Sequence, residues 1–276
     1  MRRFKLINAK GNEFDLMRRD AYFSTPDGLG YSMSSEYALI GNVYELIKTS
    51  AQQKAPAGEM IFSGYDAFAE FVSFTQFTPL KLCYKPRAEW AYLDCTVSKL
   101  DKSEIEYSDG RLHCNIDFTG TSKWYIPRTT QRTVEPATSS KKYDYAYSYT
   151  YSESINGIIS LINNSSEESP SVITIIGPVT NPAWNLVVNG KVIQSGSITG
   201  TIADGNKLVI NSKDNELEIA EYTTENVYVR NLYQLSDFSK DNFIIVPVGS
   251  STLSVLGVTS GSINAWIEIE EIHETI

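Results

Sequence analysis

Short apolar runs separated by turn signals fill the second half of the sequence, and this pattern limits the fold most strongly. The runs have strand length, and turns such as Asn189-Gly190, Asp204-Gly205 and Gly261-Ser262 separate them. Many short strands at even spacing predict a β-sandwich or jelly roll. The runs are 155–162, 172–176, 184–188, 191–194, 198–202, 207–210, 216–220, 227–232, 243–247, 252–256 and 265–269.

The first half is predicted to be β-rich with one helix. A helix over Tyr65–Thr75 is indicated by aromatic residues on one face, with Ser63 as its N-cap and Pro79 preventing its extension. Residues 4–8 and 13–17 flank a short glycine-containing loop and predict a hairpin. The fold class is therefore mainly β, with a helix-containing first domain and a sandwich after it.

Two further features of the first half affect its topology. Asp109-Gly110 predicts a tight hairpin in which Tyr107 faces Leu112 and Ile105 faces Cys114. Residues 18–60 are weakly patterned and too long for an ordinary loop in a compact domain. An arm that adds a strand to a neighbouring copy would account for that length.

Charge divides the 276 residues unevenly. Residues 1–142 hold 19 basic and 17 acidic residues (net +2), and residues 143–276 hold 5 and 16 (net −11). Residues 129–142 are polar and without periodicity, so we predict domains at 1–128 and 143–276 joined by a 129–142 linker. The overall charge of −9 argues against non-specific binding to duplex DNA or anionic membranes. No apolar stretch has the length of a membrane-spanning helix.

The sequence offers little for catalysis. Its three cysteines form no C-x-x-C pair and its two histidines are 160 positions apart, so we expect no catalytic triad, metal site or cofactor. The odd, sparse set of cysteines also predicts folding in a reducing cytoplasm. Gly28-Leu29-Gly30 lacks the third glycine of a nucleotide-binding loop. Glu268 and Glu270 share one strand face and could suit a glycosidase, although alternating Glu and Ile is typical of a solvated sheet face.

Aromatic residues suggest two contact surfaces. Tyr143, Tyr145, Tyr147, Tyr149 and Tyr151 alternate strictly, which places five rings on one strand face for sheet packing or for a subunit or ligand contact. In the second domain, Trp184, Asn185 and Trp266 could form a carbohydrate platform, although a tryptophan on an alternating strand usually packs in the core. A carbohydrate-binding module on a carrier domain is therefore the alternative function.

Several strings occur in an order that resembles siphophage distal tail proteins. The first half contains Ser63-Gly64-Tyr65-Asp66-Ala67-Phe68, then Pro79-Leu80-Lys81-Leu82-Cys83-Tyr84-Lys85-Pro86, Leu112-His113-Cys114 and Trp124-Tyr125. The second half contains Ile175-Ile176-Gly177-Pro178, Leu208-Val209-Ile210-Asn211 and Phe243-Ile244-Ile245-Val246-Pro247. The 129–142 linker has no counterpart in that pattern.

This resemblance implies a structural protein of the virion tail tip, assembled in the host cytoplasm, and no enzyme. It implies a hexameric ring formed by the N-terminal domains, which joins the tail tube protein to the tail-tip hub. It also implies outward C-terminal sandwiches, galectin-like or carbohydrate-module-like, on which receptor-binding proteins dock. Because terminal hairpins are marginal alone, we place the copy-to-copy interface on the first hairpin, at Phe4, Leu6, Phe14 and Leu16.

Overall fold

The computed structural model describes residues 2–105, 109–134, 154–259 and 263–276. It divides into two units, one formed by Met1–Ile126 with Ile272–Ile276 and the other by Pro127–Glu271. Strands dominate both units, and the described residues contain one α-helix and one short 3-10 helix. The mainly β fold class predicted from the sequence is confirmed.

The first unit contains ten strands and helix α1. In chain order they are β1 (Arg3–Ile7), β2 (Glu13–Asp15), β3 (Ala21–Asp27), β4 (Met33–Ile40), β5 (Val43–Ala51), β6 (Ala57–Phe62), α1 (Tyr65–Thr75), β7 (Leu80–Lys85), β8 (Ala91–Leu100), β9 (Leu112–Gly120) and β10 (Trp124–Val134), which runs on into the second unit. Strands β2, β1, β7, β8, β9, β6 and β3 are hydrogen-bonded antiparallel in that order, and β10 pairs with β8. Among the strands of the described residues, β4 and β5 pair only with each other.

Alternation along these strands builds the core of the first unit. Phe4 and Leu6 of β1, Phe23 of β3 and Phe62 of β6 point to the same interior and are completely buried. The Phe4 ring packs edge-on against Phe23 with centroids 5.2 Å apart. Helix α1 covers this core with Phe71, its buried residue. Aromatic packing of this kind contributes stability beyond the area buried.

Helix α1 has the predicted bounds, but its N-terminus differs. Gly64 occupies the N-cap position and no side chain caps the helix, so the prediction that Ser63 caps it is wrong.

The hairpin predicted around Asp109-Gly110 is also not formed as expected. Residues 103–105 are not in a strand, and Leu112 pairs with Phe62 of β6 instead. The strand that begins at Leu112 pairs instead with β8, the preceding strand of the chain, and with the more distant β6, so the local turn signal does not determine its partners. The predicted partner Tyr107 lies outside the described residues.

The second unit is formed by two facing sheets. Its strands are β11 (Ser154–Asn163), β12 (Ser169–Ile176), β13 (Val179–Val188), β14 (Lys191–Ser197), β15 (Thr201–Ile202), β16 (Asn206–Asn211), β17 (Glu218–Thr223), β18 (Tyr228–Asn231), β19 (Ile245–Val246), β20 (Gly249–Val258) and β21 (Ile263–His273), with the 3-10 turn at Tyr233–Leu235. One sheet has the order β18-β17-β16-β12-β21, and the other has the order β11-β20-β13-β14 with β15 on β13. The short β19 pairs with β12. Trp184, Leu186 and Val255 of one sheet and Ile173 and Ile267 of the other belong to one buried cluster, as in a sandwich.

The segment predicted as a linker has a different structure at its start. Residues 129–134 belong to β10, and residues 135–142 lie outside the described part of the chain, as does the Tyr143–Tyr151 alternation. The last five residues, Ile272–Ile276, belong to the first unit, whereas the sequence placed all of 143–276 in one domain. The charge change at mid-chain cannot reveal such a return, because only five residues take part in it.

Candidate assembly interface

Strands β4 and β5 form a long hairpin, here called the arm (Met33–Ala51). Its register starts with Met33 opposite Ala51 and ends with Ile40 opposite Val43, and a shift between Glu36 and Tyr37 marks a bulge. Gly41 closes the tip with a φ of 66°, a conformation that glycine adopts without strain. The arm is therefore a regular β-ribbon whose register assigns each side chain to a face.

The register separates the arm into an apolar and a polar face. Residues directly opposite in an antiparallel pair lie on the same face, so Tyr37 accompanies Leu46 and Leu39 accompanies Tyr44. On the other face Glu36 is opposite Lys48. The first face, here called the apolar face, has Met33, Tyr37, Leu39, Tyr44 and Leu46 as its large side chains, with Ser35, Thr49 and Ala51 between them. The opposite face, here called the polar face, carries Ser34, Glu36, Glu45, Lys48 and Ser50 along most of the ribbon and becomes apolar at the tip with Ala38, Ile40 and Val43.

The apolar face of the arm is exposed. Its five apolar side chains have exposed fractions between 47% at Met33 and 70% at Tyr44, and nothing in the described part of the chain packs over them. An isolated two-stranded hairpin is marginally stable in water, and contiguous exposed apolar surface marks an interaction site. The arm thus has the composition of a sheet element whose second layer is absent from the described part of its own chain.

The base of the arm is formed by close backbone contacts. Gln52 N–H donates to the Ser32 carbonyl at 2.8 Å, and Gly28 has a φ of 69° with its α-carbon against the Ala55 carbonyl. A β-carbon at position 28 would lie 2.4 Å from that oxygen. The Gly28-Leu29-Gly30 string therefore serves a tight chain crossing. A cleft of about 540 Å³ opens there, lined by residues 26–32 and 52–55.

A buried lysine lies beside this cleft. The Lys54 side chain is 4% exposed, and its ammonium group donates to the Glu274 carboxylate at 3.0 Å and to the Glu274 carbonyl at 2.6 Å. Lys123 approaches the same carboxylate at 2.7 Å. The hydrogen bonds from Lys123 and then from Lys54 lower the pKa of Glu274, against the opposing effect of burial. Nothing in the sequence pairs residues 220 positions apart, and so this contact could not be predicted.

The four residues predicted for the copy-to-copy interface lie in the core. Phe4, Leu6 and Leu16 are completely buried and Phe14 is 3% exposed. Their hairpin, β1 with β2, is covered by α1 on its apolar side, where Phe14 meets Phe71 with ring centroids 5.2 Å apart. The structure therefore does not support these side chains as contacts to another copy, because their apolar surface is used within the unit.

The proposed carbohydrate residues are not brought together. Trp184 is completely buried, and its indole N–H donates to the Asn242 carbonyl at 3.0 Å. Gly196, opposite Trp184 in the register, leaves the space that the indole occupies. No ring face remains for a sugar, so Trp184 is a core residue and not a platform. Asn185 and Trp266 are half-buried and lie on different sheets, β13 and β21.

The carboxylate pair considered for glycoside cleavage is on a solvated face. Glu268 is exposed, and Glu270 accepts a hydrogen bond from Lys213. Within the described ranges, no group of three or more His, Cys, Asp or Glu side chains could hold a metal. The 11-residue α1 is far shorter than a bilayer-spanning helix, and no other described helix is longer.

The comparison with protein families decides the identity of the first unit. Residues 3–121 match the family described as distal tail protein, N-terminal domain. The first unit belongs to the distal tail protein family. This confirms the resemblance found in the sequence. The matched range contains the whole arm, its base and the first hairpin. Distal tail proteins are structural components of phage tails and baseplates.

Solved structures share the fold over the length of the chain. A chain of the phage P2 baseplate, in its activated conformation with Ca, superposes with a TM-score of 0.70 at 15% identity and covers 100% of both chains. The Dit protein of phage SPP1, described as a paradigm of the hub adsorption apparatus in phages infecting Gram-positive hosts, gives a TM-score of 0.61 at 11% identity, covering 96% of this chain and 98% of that one. No curated protein sequence matches the chain.

Proposed function

We propose that this protein is a structural distal tail component of a phage or phage-like particle, and that its first unit assembles with further copies into a closed ring. The arm provides the contact between neighbours, its apolar face packing on the next copy's first unit. The protein then carries no catalytic activity of its own. It acts at the virion tail tip after assembly in the cytoplasm of the bacterial host.

The single observation that carries this proposal is the uncovered apolar face of the arm. Five large apolar side chains on one face of a ribbon cost free energy in water, at about 25 cal/mol per Å² of apolar surface that stays exposed. A neighbouring copy that covers this face would recover that free energy. Because the arm differs from the surface it would cover, the contact is head-to-tail, and head-to-tail contacts close into rings when the rotation permits.

The number of copies and the neighbours come from the family. Resemblance to distal tail proteins supports a ring of six copies, placed between the tail tube protein and the tail-tip hub. The second unit, a sandwich of net acidic composition, would be the part available to receptor-binding proteins. Sequence-specific nucleic-acid recognition and membrane insertion form no part of this function.

The proposal is tested by the mass of the purified protein in solution. Wild-type protein is expected to have the light-scattering mass of six copies and to appear as rings in negative-stain electron micrographs. Replacing Tyr37, Leu39, Tyr44 and Leu46 by serine removes most of the apolar face while keeping the register. This variant is expected to have the mass of one chain with unchanged circular dichroism.

A matched control uses the opposite face of the same ribbon. Exchanging the charges of Glu36 and Lys48, which lie opposite each other, alters only the polar face. This control is expected to keep the wild-type mass. Wild-type protein that stays monomeric at high concentration would contradict the proposal. Equal loss of assembly in the apolar-face and polar-face variants would show that the contact does not depend on the apolar face.

A further inference from the structure

We propose that Lys54 and Glu274 form a clasp that fixes the base of the arm, so that the arm emerges in one direction. The clasp acts on a single chain, and its use in presenting the arm to a neighbour rests on the function proposed above. Glu274 lies in the segment Ile272–Ile276, which joins the first unit from the far end of the chain.

One ammonium group connects three segments of the chain. Lys54 follows β5 by three residues, and Gly30 precedes β4 by three residues. The Lys54 ammonium donates to the Glu274 carbonyl at 2.6 Å, to its carboxylate at 3.0 Å, and lies 3.4 Å from the Gly30 carbonyl. The two chain segments that enter and leave the arm are therefore held to each other and to Glu274 by the same cation.

Both partners of the clasp have additional anchors within the first unit. The Lys54 carbonyl accepts from Gly120 N–H at 2.7 Å, and Gln53 donates its side-chain N–H to the Gly120 carbonyl at 2.7 Å. Glu274 is held by Lys123, and Ile276 packs against the core of the unit. The base of the arm is thus attached to β9 and to the final segment, whereas within the described residues no such contact is made by Met33–Ala51.

Burial distinguishes this ion pair from the others of the first unit. Lys5 pairs with Glu13 at 2.6 Å, but the Glu13 side chain is 56% exposed, so water can replace either partner. The Lys54 side chain is almost fully buried, and removal of its anionic partner leaves a cation with only carbonyl acceptors. Breaking a buried pair on one side is strongly destabilising. In this position the loss is expected to open the arm base locally.

Hydrogen exchange read by mass spectrometry tests the clasp on the full chain. In Glu274→Gln, peptides spanning residues 28–32 and 52–56 are expected to exchange about tenfold faster than in wild-type protein, because local opening at the base becomes more frequent. Lys54→Met is expected to give the same change. Glu13→Gln, which breaks the exposed Lys5 pair, serves as the control and should leave these peptides unchanged.

Two results would overturn the clasp. One is exchange at the arm base that is the same in Glu274→Gln as in wild-type protein. The other is equally faster exchange throughout β7 and β8, which would show that Glu274 stabilises the whole unit and not the arm base. All variants are measured at a dilution where light scattering gives the same mass. A monomeric wild-type protein would then refute the ring, while the exchange contrast would still decide the clasp.

Discussion

The first unit contains two amphipathic hairpins that differ in what covers them. In the β1–β2 hairpin the apolar residues Phe4, Leu6 and Phe14 are nearly or completely buried, covered by α1 and the neighbouring strands. In the arm, residues of similar size, such as Leu39 and Tyr44, are more than half exposed. Each hairpin has one mainly apolar face and one mainly polar face, and the polar face of the arm turns apolar only at its tip, at Ile40 and Val43. The difference lies in whether the described part of the chain supplies a second layer.

This comparison separates stability from assembly. A hairpin that is covered by its own chain contributes to folding, and substitutions there change the free energy of unfolding. A hairpin that is left uncovered contributes little to folding of the single chain, and its apolar residues serve a contact with another molecule. Truncating an apolar side chain is therefore expected to lower the free energy of unfolding in the β1–β2 hairpin, and to weaken assembly with little effect on unfolding in the arm.

The largest expected effect contrasts Phe4→Ala with Tyr44→Ala. Phe4 is completely buried, so its truncation is expected to destabilise the first unit by about 3–5 kcal/mol through lost burial and a cavity. Tyr44→Ala in monomeric protein should change stability by about 0.5 kcal/mol or less, as exposed positions do. Urea unfolding measures both. Comparable losses in the two variants would show that the arm is part of the folding core.

Thiol labelling gives the next largest contrast. Cys83, Cys95 and Cys114 are all free and buried, and burial raises the pKa values of Cys83 and Cys95 to about 12. At pH 8 none of the three native thiols is therefore expected to react with a disulfide reagent until urea unfolds the unit. A cysteine introduced at the exposed arm position Ser35 is expected to react at once in monomeric protein. Rapid labelling of the native cysteines would mean that the sheet holding the first hairpin opens readily.

The smallest expected effect is a pH dependence of the first unit's stability, caused by His113 on strand β9. Hydrogen bonds from His113 to Asp109 and then to Glu59 raise the pKa of His113 above 6.5. A raised folded pKa adds stability that is complete below pH 6.5 and is lost as pH rises through the folded value. We therefore expect the first unit to lose a small part of its stability above pH 6.5, measured by urea unfolding. His113→Gln should remove this slope, and an unchanged slope would assign it to another group.

The sequence predicted those features whose cause is local. The bounds of α1 follow from its aromatic face and from Pro79, and the sandwich strands follow from alternation between turn signals. The pairing of β9 with β6 could not be predicted from the Asp109-Gly110 turn, because that pairing is decided by packing between segments far apart in the chain. The sequence predicted within residues 18–60 an arm that adds a strand to a neighbouring copy, whereas the structure folds β4 and β5 of this stretch into a hairpin of their own. The exposed face of that hairpin could not be predicted, since no local pattern states whether an apolar face is covered.

Because burial depends on distant parts of the chain, the residues predicted for contacts were also misassigned. Phe4 and Trp184 have the right chemistry for a contact, but burial in their own unit removes them from any interface. Gly196 leaves room for the buried indole of Trp184, but the two residues are known to be opposite each other only from the β13–β14 register, so the sequence alone did not reveal this. The Lys54–Glu274 pair had no signal at all, because it joins residues from opposite ends of the chain.

Photo-crosslinking from the arm tests the central claim most directly. Benzoylphenylalanine is placed at Tyr44 on the apolar face in one variant and at Glu45, the next residue on the polar face, in another. We expect Tyr44 to give crosslinks between copies that map to residues 1–126 of a neighbour, and Glu45 to give few. Crosslinks only within one chain, or equal yields from both positions, would contradict assembly through the apolar face of the arm.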